Sequence, residues 1–472
     1  MSARRSGIVL TPRRAEARAV AGGAPALEVI ATGVGPERAR RSAINLAARC
    51  QGAPAVAVAG WTDAAGRPHL EPGDVVVASE VRGPFGTVPL PSAPLVASAL
   101  ARTGLRVDER AVTPAHDEES AWLVEAAPDR PRVVVRVVAD DHHTLAAYRS
   151  LRRSARVLDR WAAAARPRTV LLPEPRSFCA GVERAIEVVE RALDRYGPPV
   201  YVRRQIIHNR HVVADLESRG AVFVEEVDQA PEGARLVFSA HGVSPAVEAA
   251  AAERGQAVID ATCPLVAKVH REVRRFSERD YSVVLVGHAH HDEVEGTIGE
   301  APDIRLVSTA DDAAAVDVPD PERVAYVTQT TLALDDVAEV VDVLRDRFPG
   351  LVGPAADDVC YATQNRQDAV RAIADECDLL LVVGSQNSSN SQRLVEVAER
   401  AGCPAHLVDD ERDIDLAWLA GAATVGVTAG ASAPSWIVDR VVASLGGLGP
   451  LDVRTRTVTA ETVRFSLPEE VR

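Results

Sequence analysis

Cys179, Cys263 and Cys360 stand in the stretches PRSFCAGVERAIEVVERAL, DATCPLVAKVH and DDVCYATQNRQDAV. Each has a polar or acidic lead-in and a helix-like run behind it. That pattern predicts a sulfur at a helix start, where exposed N–H groups and the helix dipole favour a thiolate. Cys179 taken singly reads better as a small buried residue at a strand-to-helix turn. Three such cysteines, spaced by 84 and 97 residues, could instead hold a zinc ion with an open fourth position, or three irons of a cubane cluster with the fourth iron open. Zinc sites more often contain a close pair such as C-x-x-C, so the wide spacing leans toward iron–sulfur without deciding it. Cys50, Cys377 and Cys403 lack this context and are expected to be structural.

A second group of residues could bind an anion. IIHNRHVVADLESRG, SAHGVSP and GHAHHDEVEG place His208, His241 and His291 at loop positions, where imidazoles can bind negative charge and move protons. His211, His270, His288 and His290 are expected to be structural. GSQNSSNSQR follows the apolar run DLLLVV and offers Ser388, Ser389 and Asn390 at a helix N-terminus, a usual way of holding phosphate. The plain alternative is a polar loop with a capping serine. TAGASAP adds Ser432, and TQTT adds Thr330. Glu293, two residues beyond His291, is the candidate acid.

Composition narrows the partners. A net charge of −14 argues against nucleic acid bound through a broad basic surface and leaves room for a local pocket for a small anion. Without an apolar run of membrane-spanning length or a secretory apolar core near the start, the expectation is a cytoplasmic chain with reduced thiols. Lysine occurs once, at Lys268, against 52 arginines, and asparagine only at 45, 209, 365, 387 and 390. Positions that resist such a bias stand out, and Lys268 lies five residues after Cys263. A cation facing a cluster or a bound anion is the expected role.

These groups need elements to position them. Residues 27–34, 74–82 and 132–139 read as buried strands alternating with Ala- and Arg-rich helical stretches at 36–49 and 143–165. A boundary helix and linker are expected to end at Pro167. The alternation restarts with strand-like runs at 169–175, 235–242, 281–289, 323–330, 378–385 and 423–430. Strands interleaved with helices imply parallel sheets with functional loops at their carboxyl ends. The cysteine spacing suggests three similar lobes meeting at one point, approximately 170–263, 264–357 and 358–450. The tail 462–472 alternates like a strand and is expected to pack across the core.

From about residue 170 onward the motifs SFCAGVERAI, HNRHVV, FSAHGVS, DATCPLVAKVH, GHAHHDEVEGT, TQTTL, DDVCYATQNRQ, NSSNSQRL and VTAGASAP resemble the IspH/LytB family of 4-hydroxy-3-methylbut-2-enyl diphosphate reductases. The resemblance implies an α/β fold of three small lobes around a [4Fe-4S] cluster carried by Cys179, Cys263 and Cys360, whose open iron meets the allylic hydroxyl. It also implies that His208, His241, Ser388, Ser389, Asn390 and Ser432 hold the diphosphate. His291 and Thr330 would contact the substrate near its hydroxyl, and Glu293 would deliver a proton. Electrons would come from a donor such as flavodoxin or ferredoxin, in the last step of the non-mevalonate isoprenoid pathway. His290 stands where a small residue is more usual.

Residues 1–165 lie outside that resemblance. VIATGVGPERARRSAINLA, LEPGDVVVASEV, HDEESAWLV and VVVRVVADD resemble the nucleoside phosphorylase and nucleosidase family, which implies an α/β domain with a central mixed sheet. By that analogy Glu119 would contact ribose hydroxyls and Asp140 would assist departure of the base. The short domain, and Glu118 in place of a methionine, point to a degenerate or regulatory module fused to a reductase domain at 166–472.

Overall fold

Among the described residues, β-branched runs bounded by Gly, Pro or Asp form the strands of four sheets. The computed structural model describes residues 7–63, 69–84, 86–112, 114–140, 144–355 and 358–472, with the side chains of 111–118 and 144 outside the description. Glu118 and Asp357 therefore fall outside it.

The first sheet has seven strands. Glu28–Ala31, Ile8–Thr11, Val56–Thr62 and Arg132–Val138 run parallel in that order, and Val75–Gly83 joins antiparallel to Arg132–Val138. Gly86–Pro89 and Val107–Val112 pair with Val75–Gly83. The expected mixed sheet is present, with its strands at 27–34, 74–82 and 132–139 each recovered to within a few residues.

The remaining three sheets are parallel throughout. One is ordered Ala221–Val224, Val200–Arg203, Arg235–Phe238, Ala257–Asp260, and another Arg305–Val307, Ser282–Val286, Val324–Thr328. The last is ordered Ala405–Val408, Leu379–Val383, Thr424–Ala429, Arg168–Glu174, Leu451–Thr457. The strand at 168–174, read from sequence as the start of the first lobe, thus sits inside the sheet of the third. Its inward Val170 and Leu172 share a core with Leu379, Leu381 and Val427. Burial on both faces decides where a strand goes, and chain order alone does not carry that information.

The helix expected before Pro167 is present and packs against the third lobe. The Thr144–Ala164 helix buries Trp161 in a core that runs on into the third lobe, and the Arg166 N–H donates to the Leu448 carbonyl at 2.8 Å. Arg102 donates to the Arg412 and Ile414 carbonyls across the same junction. The tail at 462–472 is not a strand. Leu451–Thr457 is the final strand, and the chain then crosses to the first lobe, where Val471 is buried and the Glu470 carbonyl accepts from Tyr196 and Arg195.

Candidate functional site

Each of the three cysteines is the N-cap of a helix. Cys179 precedes Ala180–Tyr196, Cys263 precedes Pro264–Ser277 and Cys360 precedes Tyr361–Ala374. Cys179 and Cys263 follow strands, whereas Cys360 follows a loop. Every one of them donates its backbone N–H to a loop at a neighbouring strand end: Cys179 to Ala431, Cys263 to Ala240 and Cys360 to Thr330, at 3.3, 3.0 and 2.9 Å. The sulfur positions are therefore fixed through main chain from three sheets, and all three cysteines line one cavity.

Gly181, two residues after Cys179, keeps the region between two of the sulfurs open. A Cβ there would lie 2.7 Å from Cys263 Sγ and 3.8 Å from Cys179 Sγ, so the space between these sulfurs exists only because residue 181 has no side chain. Burial pushes the Cys263 thiol up to about 11 and the Cys360 thiol up to about 12, outweighing the backbone N–H groups that favour thiolate. Desolvation thus opposes the preference for thiolate that the helix starts give Cys263 and Cys360. A strongly positive centre would be needed to hold them as thiolates. Cys50 is buried in the N-terminal core, and Cys377 and Cys403 pack together in another, away from the cavity.

The three histidines rise above one side of this floor. His208 and His241 stack with ring centroids 4.1 Å apart, and His291 meets them edge-on at 5.4 and 5.8 Å. Burial lowers all three imidazoles, His291 to about 4 and His241 well below its ordinary value. Burial thus favours their neutral forms, against the pull of the Asp292 carboxylate on His208 and His291. His291 caps the Asp292–Ile298 helix, with its Nδ1 accepting from the Glu293 N–H at 3.2 Å.

A second wall, meeting the first where Asn387 lies 3.3 Å from His208, is built from hydroxyls and an amide. Ser388 caps the Ser389–Arg400 helix and lies 3.1 Å from the Ser432 hydroxyl. Asn390 Oδ1 accepts from the Ala431 N–H at 2.8 Å, which ties this wall to the loop holding Cys179. Ser389 accepts from the Thr331 hydroxyl at 3.0 Å. Glu293 is 3% exposed. Its two oxygens accept from the Thr330 N–H at 2.7 Å and the Thr330 hydroxyl at 2.9 Å, yet burial still raises its proton affinity.

All twelve residues singled out from sequence line the same cavity. Lys268 does not; its Nζ lies 3.1 Å from Asp358 Oδ1 instead. His211, His270 and His288 face Asp410, Glu300 and Arg393, outside the cavity. Sequence reasoning missed Asp292 and Arg204. Asp292 Oδ2 lies 4.0 Å from His208 and 3.8 Å from His241, while Arg204 pairs with Asp292 and with Glu295 at 2.7 Å. The signal was available, since Asp292 adjoins His291, but nothing in the sequence aims it back at two histidines from another lobe. In the N-terminal unit, Glu119 accepts from the Gly35 N–H at 2.5 Å and lies 3.8 Å from Arg136, and Asp140 is exposed just beyond the Arg132–Val138 strand.

A 4-hydroxy-3-methylbut-2-enyl diphosphate reductase of Mycolicibacterium paratuberculosis is 59% identical over 307 residues, spanning 64% of this chain and 92% of the relative. The solved structure of the E-1-hydroxy-2-methyl-but-2-enyl-4-diphosphate reductase from Plasmodium falciparum aligns at a TM-score of 0.62 and 37% identity, covering 65% of this chain and 97% of that one. A putative 5'-methylthioadenosine/S-adenosylhomocysteine nucleosidase from Francisella philomiragia aligns over 32% of the chain at 13% identity and a TM-score of 0.25, a level from which no activity follows. No helix among the described residues is long and apolar enough to cross a membrane. The family model for the LytB protein matches residues 170–446, which contain every cavity residue named above, and the chain belongs to that family.

Proposed function

We propose that this chain reduces (E)-4-hydroxy-3-methylbut-2-enyl diphosphate to isopentenyl and dimethylallyl diphosphates, the reductase activity for which its relatives are named. The observation that carries the reading is the convergence, in one cavity, of three helix-capping cysteines with three clustered imidazoles, a serine-rich helix start and a buried carboxyl.

Cys179, Cys263 and Cys360 would hold a [4Fe-4S] cluster. The fit rests on three observations: three sulfurs from three elements, the space that glycine keeps open at position 181, and soft sulfur donors without a fourth cysteine among the described residues lining the cavity. Such a cluster would supply electrons and Lewis acidity for cleavage of the allylic hydroxyl. Zinc also takes thiolate ligands but is redox-inert, and the three sulfurs do not all lie within 4.8 Å of one another as ligands of a single ion would.

The protein's own groups then have separable tasks. Ser388, Ser389, Asn390 and Ser432 donate to the diphosphate, and His208 and His241 close on it from the other wall. Binding at two walls fixes the allylic hydroxyl near the floor, so that orientation contributes to rate. His291 and Thr330 contact the substrate near that hydroxyl. Glu293 holds the proton, made available by burial and aligned by Thr330. The carbon–oxygen bond breaks, two electrons enter from an external donor such as flavodoxin or ferredoxin, and two protons are taken up. One leaves with the hydroxyl as water, and the other ends on the allylic carbon skeleton.

The test is anaerobic purification with iron counting and a reduced-viologen assay on the diphosphate. Brown protein with about four irons per chain and turnover supports the reading. Colourless protein with stoichiometric zinc would overturn it, and a cluster without turnover would favour a redox-sensing module. For residues 1–165 the proposal is a degenerate or regulatory module, because Glu119 is engaged with the backbone and Arg136 of its own domain. Phosphorolysis across a nucleoside panel that vanishes in Asp140→Asn would refute that.

A further inference from the structure

Behind the cysteines, three cations occupy equivalent places. Arg184 lies five residues after Cys179, Lys268 five after Cys263, and Arg366 six after Cys360, each on the helix its cysteine caps. Arg184 does not bond the loop of its own cysteine. Its Nη1 donates to the Thr262 carbonyl at 3.1 Å and its Nη2 to the Asp260 carbonyl at 3.4 Å, the lead-in to Cys263. Lys268 reaches the lead-in to Cys360, donating to Asp358 Oδ1 at 3.1 Å, while Asp358 Oδ2 accepts from the Thr328 N–H at 3.2 Å. Arg366, fully buried, donates to the Ser177 carbonyl at 2.7 Å and the Phe178 carbonyl at 3.1 Å, the lead-in to Cys179. The pattern closes on itself, with first helix to second cysteine, second to third and third to first.

We infer that Arg184, Lys268 and Arg366 are positioning residues that form a closed ring of clamps, setting the three sulfurs at the mutual spacing a cuboidal cluster requires. The inference rests on the iron–sulfur reading above. A cluster ligated from three separate sheets has no short loop to fix its ligand spacing, so any drift between lobes would change sulfur separations directly. Each clamp couples a helix, whose first residue follows one cysteine, to the two or three residues just before another. Charge-assisted bonds suit this task, being shorter and stiffer than neutral ones. The single lysine serves where the partner is a carboxylate with no exposed side-chain surface, which a compact ammonium can meet, and arginines serve where two carbonyls must be spanned. The C-terminal tail reinforces two of the clamps: Ser466 accepts from Arg184 at 2.9 Å, and Glu461 pairs with Arg366 at 2.9 Å.

Arg366 is too deeply buried for its variants to separate folding from cluster retention, so the test uses Arg184→Gln, Arg184→Lys, Lys268→Met, Asp358→Asn and the Lys268→Met/Asp358→Asn double variant. Each full-length holoprotein is purified anaerobically, and iron per chain, the rate of iron release to a chelator and the EPR spectrum of the reduced state are recorded, with far-UV circular dichroism to verify the fold. Arg184→Gln and Lys268→Met should release iron about tenfold faster than the parent chain and show altered EPR line shapes. Arg184→Lys should recover most of the retention. The double variant should be no faster than the faster of its two single variants, because both remove one link. Release rates within twofold of the parent and unchanged spectra in Arg184→Gln and Lys268→Met would overturn the ring. An iron-free parent chain would instead overturn the iron–sulfur reading beneath it.

Discussion

The floor and the walls of the cavity are built on different principles. On the floor, each cysteine is fixed by its own main chain, through an N–H to a neighbouring strand-end loop and a helix start behind it. On the walls, His208, His241, His291, Ser388 and Ser432 meet mainly through side chains, with rings stacked or edge-on and hydroxyls sharing hydrogen atoms. The difference teaches what each region must do. A metal cluster has fixed dimensions and tolerates little drift in its ligands, whereas a diphosphate arrives with its own charge and shape, and side chains can reorient and take up protons to meet it.

The sharpest way to break this comparison is at the floor. Cys263→Ala or Cys360→Ala should remove the visible absorbance and essentially all reductase turnover; a variant that kept both would show that the thiols are structural. Next in size is Glu293→Gln, which leaves the floor intact. Loss of a positioned acid lowers turnover by ~10²–10⁴-fold, so kcat should fall by that order with iron content unchanged. Equal loss of iron would mean that Glu293 belongs to the floor.

The walls should respond in KM. Truncating His241 to alanine removes a bond of about 1.5–3 kcal/mol to a charged group, a rise in KM of roughly ten- to a hundredfold, read in steady-state kinetics with the cluster intact. The pH dependence follows from the directions of the shifts. Burial lowers the imidazoles, so the free protein favours their neutral forms, and the bound diphosphate favours their protonated forms. Binding should therefore take up protons, and KM should rise as pH rises. Glu293 is shifted the other way and must be protonated to act, so kcat should fall as pH climbs through its raised value. The smallest effect is expected from Ser432→Ala, where one of four donors to the diphosphate is lost, at the low end, about 1.5 kcal/mol, for a bond to a charged group, giving an about tenfold change in KM that a competitive binding assay can detect.

A second contrast separates the N-terminal sheet from the other three. Its strands are mixed in direction, and its candidate Glu119 is engaged within its own domain, whereas the parallel sheets aim their strand ends at a common cavity. This unit is nonetheless fused tightly, since Trp161 and the Arg102 bonds bury its seam with the third lobe.

Much of this was written in the local sequence. The alternation of apolar strands with helical runs specified α/β structure, and the small and polar residues just after each strand specified where chemistry could occur, because a strand's carboxyl end is where a turn must expose its backbone. The cysteines announced their helix starts for the same local reason. Short strands such as Val200–Arg203 and Ala405–Val408 carried too few residues to declare a period. What only the tertiary structure decided was non-local. It placed Arg168–Glu174 in the sheet of the third lobe, turned Asp292 toward His208 and His241, raised the thiols of Cys263 and Cys360 by burying them, and aimed Lys268 at Asp358 instead of at the cavity. Each depends on which surfaces are desolvated against one another, and neighbours along the chain cannot report which distant residue will exclude the water.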